Sequence, residues 1–170
     1  MGNVTTRETL ALRWAEVLRD PVLQDLPYKM ELNTWGKVEM SPASNRHARL
    51  QALLSSELSR QLPGGLVASE ASILTDIGIR VPDVIWGSAA FMQACGETTP
   101  YPQAPAICIE ITSPSNSDEE IREKTRAYLA AGATEVWIVA EAGTIQYFDR
   151  NGGRAATQFP VALSLPRPIA

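Results

Sequence analysis

Several features that would point to a function are scarce or missing in this sequence. It has only two cysteines, Cys95 and Cys108, and no Cys-x-x-Cys pair, so neither a zinc ribbon nor a redox dithiol is supported. It has no run of about 18 uncharged apolar residues, so no transmembrane helix is expected. The first residues also lack the apolar stretch of a secretory signal. We therefore expect a cytoplasmic protein that makes no membrane contact.

Positive charge is also in short supply. The chain carries 15 Lys and Arg residues against 19 Asp and Glu residues, which gives a net charge of −4. Nucleic-acid-binding domains usually show a clearly basic face, so this balance argues against a strong nonspecific grip on nucleic acid. No glycine-rich phosphate loop is present either, because Gly64-Gly65 follows an apolar helix and indicates a helix stop. A sugar- or nucleotide-binding protein therefore has little support.

The 170 residues suit a single domain over 1–170, and a chain of this length buries roughly 70% of its unfolded surface. Apolar periodicity predicts an α/β protein with an N-terminal helix, a β-hairpin and a mixed β-sheet flanked by helices. The first helix is predicted to follow a capping box that runs from Thr5 to Glu8. Residues 87–105 are predicted to form a surface loop with room for a short helix. Further helices are predicted at 45–62 and 118–131, and strands at 28–32, 37–40, 66–69, 71–74, 79–86, 106–112, 136–139, 144–148 and 158–163.

Two carboxylates stand in apolar strand patterns. Asp83 follows Val81-Pro82, and Glu110 lies among isoleucines in the segment 107–111. Burying either carboxylate without a partner would cost several kcal/mol. Two such groups that converge at strand ends would bind Mg²⁺ or Mn²⁺, which prefer hard oxygen ligands. The alternative is that each caps a strand or pairs with an arginine such as Arg80.

A lysine on the following helix is the candidate cation for this pair. Lys124 flanks the helix face that is predicted to pack on the sheet, so its ammonium could reach the metal and orient an attacking water. The alternative is a surface lysine that pairs with Glu120.

A set of short segments, in this order, resembles the Uma-two family of restriction-endonuclease-like proteins, a branch of the PD-(D/E)xK nuclease superfamily. The resemblance covers almost the whole chain. The matching segments are 29–33, 36–42, His47 at its helix start, 80–84, 109–115, Lys124 with Tyr128, and 136–139.

The resemblance implies a restriction-endonuclease-like fold and assigns roles to several residues. Asp83 and Glu110 match the family's metal-ligating acids, and Glu31 matches an acidic residue that enters the site from the hairpin. Lys124 matches a lysine displaced from the strand to the next helix. Thr112 departs from the superfamily pattern, because Glu110-x-Thr112 stands where Glu-x-Lys is usual.

The implied function is a Mg²⁺-dependent endonuclease that hydrolyses DNA phosphodiester bonds, with Mn²⁺ as a possible substitute. The carbonyl of Ile111 would be an additional metal ligand, and Glu31 would hold a second metal or act as a base. His47, Arg46 and Thr112 are candidate substrate contacts, although His47 also fits a satisfied buried residue. We expect a homo-oligomer, with a dimer favoured because duplex cleavage needs two sites. The alternative is a non-catalytic nuclease-fold module for nucleic-acid binding or assembly, which the acidic balance and Thr112 favour.

Overall fold

The computed structural model describes residues 5–168, so the first four and last two residues of the predicted domain lie outside the described part. Five helices and ten strands are found in this range. The helices are α1 (Arg7–Arg19), α2 (Pro21–Gln24), α3 (Asn45–Gln61), α4 (Ala89–Cys95) and α5 (Asp118–Ala130). The strands are β1 (Lys29–Leu32), β2 (Val38–Ser41), β3 (Gly65–Ser69), β4 (Ile73–Thr75), β5 (Gly78–Arg80), β6 (Val84–Ser88), β7 (Ile107–Thr112), β8 (Glu135–Ala140), β9 (Ile145–Asp149) and β10 (Gly152–Arg154).

The strands form two sheets. The larger has the order β10-β9-β8-β7-β6-β3, and the smaller has the order β2-β1-β5-β4. Every pair is antiparallel except β7 with β8, which run parallel and are joined by α5. A parallel pair needs such a crossover connection, so α5 necessarily covers one face of the sheet beside β7. The predicted mixed sheet with flanking helices is confirmed.

Strand β7 shows how the larger sheet separates its two faces. Ile107, Ile109 and Ile111 point into a core cluster that includes α3, whereas Cys108 points into the cluster on the opposite face, with α4 and α5. Because side chains alternate along a strand, Glu110 lies on the same face as Cys108. This register directs a carboxylate toward α5.

The smaller sheet packs against α1. Leu10, Trp14 and Val17 of the helix share a core cluster with Leu32 of β1. Strand β5 approaches β1 very closely at Gly78, where a Cβ atom would lie 2.0 Å from the carbonyl oxygen of Leu32. The backbone there has a φ of +113°, which favours glycine. The close contact between β5 and the hairpin therefore requires a residue without a side chain at position 78.

The predicted strand 79–86 is wrong, because the structure divides it between the two sheets. β5 ends at Arg80 and β6 begins at Val84. Between them, the Val81 N–H donates to a side-chain oxygen of Glu31, and Pro82 has no N–H to donate. Neither residue can continue a ladder, so the chain crosses from one sheet to the other and carries Asp83 at the crossing.

Three smaller predictions also need correction. The N-cap of α1 is Thr6 and not Thr5, since the Thr6 side chain accepts from the N–H of Thr9. The interval 87–105 contains a helix, α4, which places Cys95 in the core instead of a loop. The predicted last strand at 158–163 is not a strand, and the final strand is β10.

The C-terminal segment, residues 155–168, has no helix or strand and packs its apolar side chains on the core beside α3. Its backbone is held by side chains instead of a ladder. Gln158 N–H donates to Glu135, and Ala162 N–H donates to Gln61. Alternating apolar residues therefore reflect packing on the core and not strand pairing.

Among the helices within residues 5–168, none is both long and apolar enough to cross a membrane.

Candidate functional site

A cavity of about 860 Å³ opens where the start of β6 and the end of β7 meet the hairpin and the helices α3 and α5. Its volume lies within the range of roughly 300–1,000 Å³ that is typical of ligand sites. Its charged lining includes Lys29, His47, Asp83, Glu110 and Lys124. The two predicted acids, which are 27 positions apart in sequence, therefore face one space.

Asp83 is completely buried and is held by the ends of both strands. Its Oδ2 accepts the backbone N–H of Ile111 at 2.7 Å, and its own N–H donates to the carbonyl of Ile109 at 2.9 Å. Its Oδ1 lies 2.8 Å from Lys29 Nζ and 3.1 Å from His47 Nε2. One carboxylate oxygen is thus used for positioning, and the other faces cations.

Glu110 is similarly divided between a fixed oxygen and a cation-facing one. Its Oε1 accepts the hydroxyl of Tyr128 at 2.6 Å, and the same oxygen lies 3.6 Å from Lys124 Nζ. Its Oε2 lies 3.4 Å from Lys29 Nζ. Tyr128 comes from α5, the helix that the β7 register places over this face. The helix therefore both covers and orients the carboxylate.

Lys124 reaches the site from α5 and is anchored by Glu31. Its ammonium lies 3.0 Å from Glu31 Oε2, and Glu31 in turn accepts the Val81 N–H at 2.8 Å and contacts Arg80 at 3.3 Å. No ion pair between Lys124 and Glu120 is found within residues 5–168, so the surface alternative is not the one adopted. Glu31 lines a smaller neighbouring cavity instead of the main one. It therefore lies behind Lys124, on the far side from the open space.

Burial and neighbouring charges make the two carboxyl groups unequal. Burial raises the pKa of Asp83, but the hydrogen bond with His47 and the charge of Lys29 outweigh it and lower this pKa to about 2. Burial also raises the pKa of Glu110, and here the opposing charges of Lys124 and Lys29 do not fully offset it. Asp83 is consequently ionised near neutral pH, whereas the ionisation of Glu110 depends on the cations beside it.

Both lysines keep their charge despite burial. Burial lowers the pKa of Lys124, but the negative charges of Glu110 and Glu31 raise it above its ordinary value. The pKa of Lys29 is raised in the same way, against burial, by Glu110 and Asp83. The site therefore holds two ammonium groups against three carboxylates.

Of the three predicted substrate contacts, two line the cavity and the third, Arg46, does not. His47 and Thr112 line the cavity, and His47 is half-buried against Asp83. The hydrogen bond to Asp83 raises the His47 pKa, although burial opposes this. Arg46 points elsewhere, because its guanidinium donates to the backbone carbonyls of Glu141 and Pro166. His47 and Thr112 thus face the space where a substrate would lie, and Arg46 anchors the C-terminal segment.

The donor set fits a hard divalent ion. Asp83 Oδ1 and Glu110 Oε2 already share one cation, the Lys29 ammonium. The Ile111 N–H bonds to Asp83, and the N–H and C=O of a strand residue point to the same side, so the Ile111 carbonyl faces the same edge. Among residues 5–168, no group of three or more His, Cys, Asp or Glu side chains is arranged to hold a metal. Mg²⁺ commonly takes only one or two carboxylates and completes its shell with water and phosphate, so two carboxylates suffice.

Sequence reasoning missed Lys29 and gave Tyr128 no role. Lys29 is two residues before Glu31, and residues two apart on a strand share a face, so the signal was present once Glu31 was selected. Tyr128 lies four residues after Lys124, which places both on one side of a helix. No local pattern points to Gln51, whose amide donates to the Asp83 carbonyl at 3.0 Å. That contact depends on how α3 packs.

Comparisons with known proteins agree with this geometry. A sequence model of the family described as "Uma2: Putative restriction endonuclease" matches residues 14–168. No curated protein matches the chain. Among solved structures, the fold is similar to the crystal structure of a "putative nuclease belonging to DUF820" from Anabaena variabilis ATCC 29413, with a TM-score of 0.64 and 16% identity over 74% of each chain. At that identity, the likeness concerns the fold, and it agrees with the restriction-endonuclease-like architecture expected from the sequence. Since the family match spans nearly all of the chain, the protein belongs to the Uma2 family.

Proposed function

We propose that this protein is a metal-dependent endonuclease that hydrolyses DNA phosphodiester bonds, with Mg²⁺ as the resident ion and Mn²⁺ as a substitute. The observation that carries the proposal is the convergence of Asp83 and Glu110 on one shared cation inside a cavity, with Lys124 against Glu110. Family membership and fold support a nuclease-like function, and the site chemistry supports the finer proposal of a metal-dependent endonuclease.

The residues that would hold the ion are Asp83, Glu110 and the carbonyl of Ile111. When bound, Mg²⁺ would supply a water of lowered pKa and positive charge against the phosphate. Asp83 needs no rearrangement for this role, because the Ile111 N–H already fixes one oxygen and leaves the other toward the cavity. Tyr128 does the same for Glu110. Both carboxylates are thus oriented before any ion arrives.

Lys124 is the residue that we assign to the attacking water and the phosphate charge. Its ammonium lies between Glu110, at the metal position, and Glu31, which anchors it from behind. A lysine held in this way can donate a hydrogen bond toward the reacting oxygen without leaving its own carboxylate. We assign Glu31 to positioning Lys124 instead of to general base catalysis, because its oxygens are engaged by Val81, Arg80 and Lys124.

His47 and Thr112 complete the proposed substrate side. Both line the cavity, and the imidazole held at Asp83 can donate a hydrogen bond to a phosphate oxygen. The predicted dimer can be tested separately, by analytical sedimentation of the purified protein.

Two measurements test the proposal. Calorimetric titration with Mn²⁺ should show binding to the wild type and loss of binding in Glu110→Gln, because the variant removes a charged ligand oxygen. Plasmid nicking with Mg²⁺ should be lost in Lys124→Ala but retained in Lys37→Ala, since Lys37 is an exposed lysine outside the cavity. Absence of Mn²⁺ binding in the wild type would rule out the metal-dependent mechanism. Equal nicking by both lysine variants would remove Lys124 from it.

One observation favours the second candidate, a non-catalytic nuclease-fold module that binds nucleic acid or serves in assembly. The three carboxylates of the site are already matched by lysines and by Arg80 without any ion. A network of this kind can simply stabilise the fold. Under this reading, DNA would bind without Mg²⁺, and neither Glu110→Gln nor Lys124→Ala would change that binding. Electrophoretic mobility shift in EDTA distinguishes this outcome from the first.

A further inference from the structure

The chain has only three lysines, Lys29, Lys37 and Lys124, and two of them, Lys29 and Lys124, contact Glu110. Their surroundings differ. The Lys124 ammonium contacts Glu31 as well as Glu110, and Glu31 is not one of the proposed metal ligands. Within residues 5–168, the Lys29 ammonium donates only to Asp83 and Glu110. Lys29 is therefore the cation whose hydrogen bonds go to the proposed metal ligands alone.

The Lys29 ammonium lies where a divalent ion shared by Asp83 and Glu110 would have to lie. Its Nζ is 2.8 Å from Asp83 Oδ1 and 3.4 Å from Glu110 Oε2, and these are the oxygens turned away from Ile111 and Tyr128. An ion bound by the same two oxygens would need the same space. It would also repel the ammonium at short range, since like charges in a partly buried site interact strongly. The lysine and the ion cannot occupy this position together.

The Lys29 side chain has open space into which it can move. It begins strand β1 and lines the main cavity next to Tyr28, whose side chain is exposed. The four-carbon stem of a lysine is flexible, so the ammonium can move away from the acids while the backbone stays in the sheet. The open space beside it is where a substrate phosphate would lie.

We propose that Lys29 is an internal counter-ion of the metal-free site, which a divalent ion displaces so that the ammonium turns into the cavity. This inference rests on the metal site of the proposed function. While no ion is present, Lys29 places one positive charge between the two buried acids and reduces the repulsion between them. Metal binding is then an exchange of cations. The affinity of the site for the metal is reduced, because the interaction between Lys29 and the two acids is lost when the metal binds.

Calorimetric Mn²⁺ titration at about pH 8, well above the ordinary pKa range of carboxyl groups, tests the exchange. Lys29→Met keeps the length of the side chain and removes the competitor, so it should bind Mn²⁺ at least about tenfold more tightly than the wild type, which corresponds to about 1.4 kcal/mol. Lys37→Met is the matched control, because it removes the same charge from an exposed position near the hairpin. It should bind like the wild type.

Lysine acylation followed by mass spectrometry provides a second readout that needs no variant. In the wild type, Lys29 should be protected without metal and become acylated when Mn²⁺ is added, whereas acylation of Lys37 should not change. This measurement decides the matter if Lys29→Met does not fold.

The outcomes separate this inference from the proposed function. If the wild type binds Mn²⁺, but Lys29→Met binds no more tightly and Lys29 stays protected, the exchange is refuted and the metal site stands. If Lys29→Met binds Mn²⁺ and the wild type does not, Lys29 blocks the site without being displaced, and both the exchange and a metal-dependent activity of the native protein are refuted. If neither binds Mn²⁺, both ideas fail.

Discussion

The hydroxyl of Tyr128 offers a quantitative test of how the candidate site is built. Tyr128 is fully buried on α5, and its hydroxyl donates to Glu110 Oε1 at 2.6 Å. Replacement by Phe keeps the ring, and therefore the packing, but removes this one hydrogen bond. The nearest remaining group to that oxygen is the Lys124 ammonium at 3.6 Å, which is outside hydrogen-bonding distance.

The expected loss can be worked out from this geometry. A hydrogen bond to a charged group contributes about 1.5–3 kcal/mol, and solvent cannot readily replace it at a position this buried. We therefore expect Tyr128→Phe to lower the free energy of unfolding by about 2 kcal/mol. For a chain of this length, this corresponds to a fall in Tm of about 4–8 °C.

Urea denaturation of metal-free protein measures the change, with Tyr147→Phe as the control. The Tyr147 hydroxyl has no hydrogen-bond partner within the described chain, although its ring packs against Trp137. Its replacement should change the free energy of unfolding by less than about 0.5 kcal/mol. In a Glu110→Gln background, the loss from Tyr128→Phe should shrink toward about 1 kcal/mol, because the acceptor is then neutral. Equal effects of the two tyrosine variants would contradict the reasoning, and so would a loss that is independent of Glu110.

Three further predictions concern other parts of the molecule. His47 is the only histidine, so its proton resonances should titrate cleanly with a pKa above 6.5 in metal-free protein and return toward 6.5 in Asp83→Asn. Because the pKa of His47 is higher in the folded than in the unfolded protein, its contribution to stability is complete below the unfolded pKa and is lost as the pH rises through the folded pKa. The unfolding free energies of wild type and His47→Gln should therefore differ more at about pH 5.5 than at about pH 8.5. Gly78→Ala should destabilise the fold by at least about 2 kcal/mol more than Gly152→Ala in thermal unfolding, since both glycines have a φ near +112° but only Gly78 meets a backbone oxygen. Glu135→Ala removes the acceptor of one buried and two partly buried hydrogen bonds, so it should cost more than about 3 kcal/mol and speed amide exchange in the C-terminal segment. Unchanged exchange there would show that the apolar packing alone holds that segment.

The sequence by itself determined the main elements and the two central acids. The apolar periodicity of α1, α3 and α5 places them correctly, because a helix that covers a core must repeat its apolar residues about every 3.6 positions. Glu110 was identifiable because a carboxylate inside an isoleucine strand needs a partner. Local rules of this kind operate over a few residues, so they can be read directly from the chain.

The partners of those acids were decided by the tertiary structure. Lys29 and Lys124 are 95 positions apart, and only the packing of the hairpin and α5 around the site brings both to Glu110. The split at Val81-Pro82 between two sheets depends in the same way on Glu31, a side chain from the hairpin, which takes the Val81 N–H. Asp83 and Glu110 were therefore visible in sequence as groups that require a cation. Which cation lies there is a property of the fold, because charge pairing depends on distance in space and not on separation along the chain.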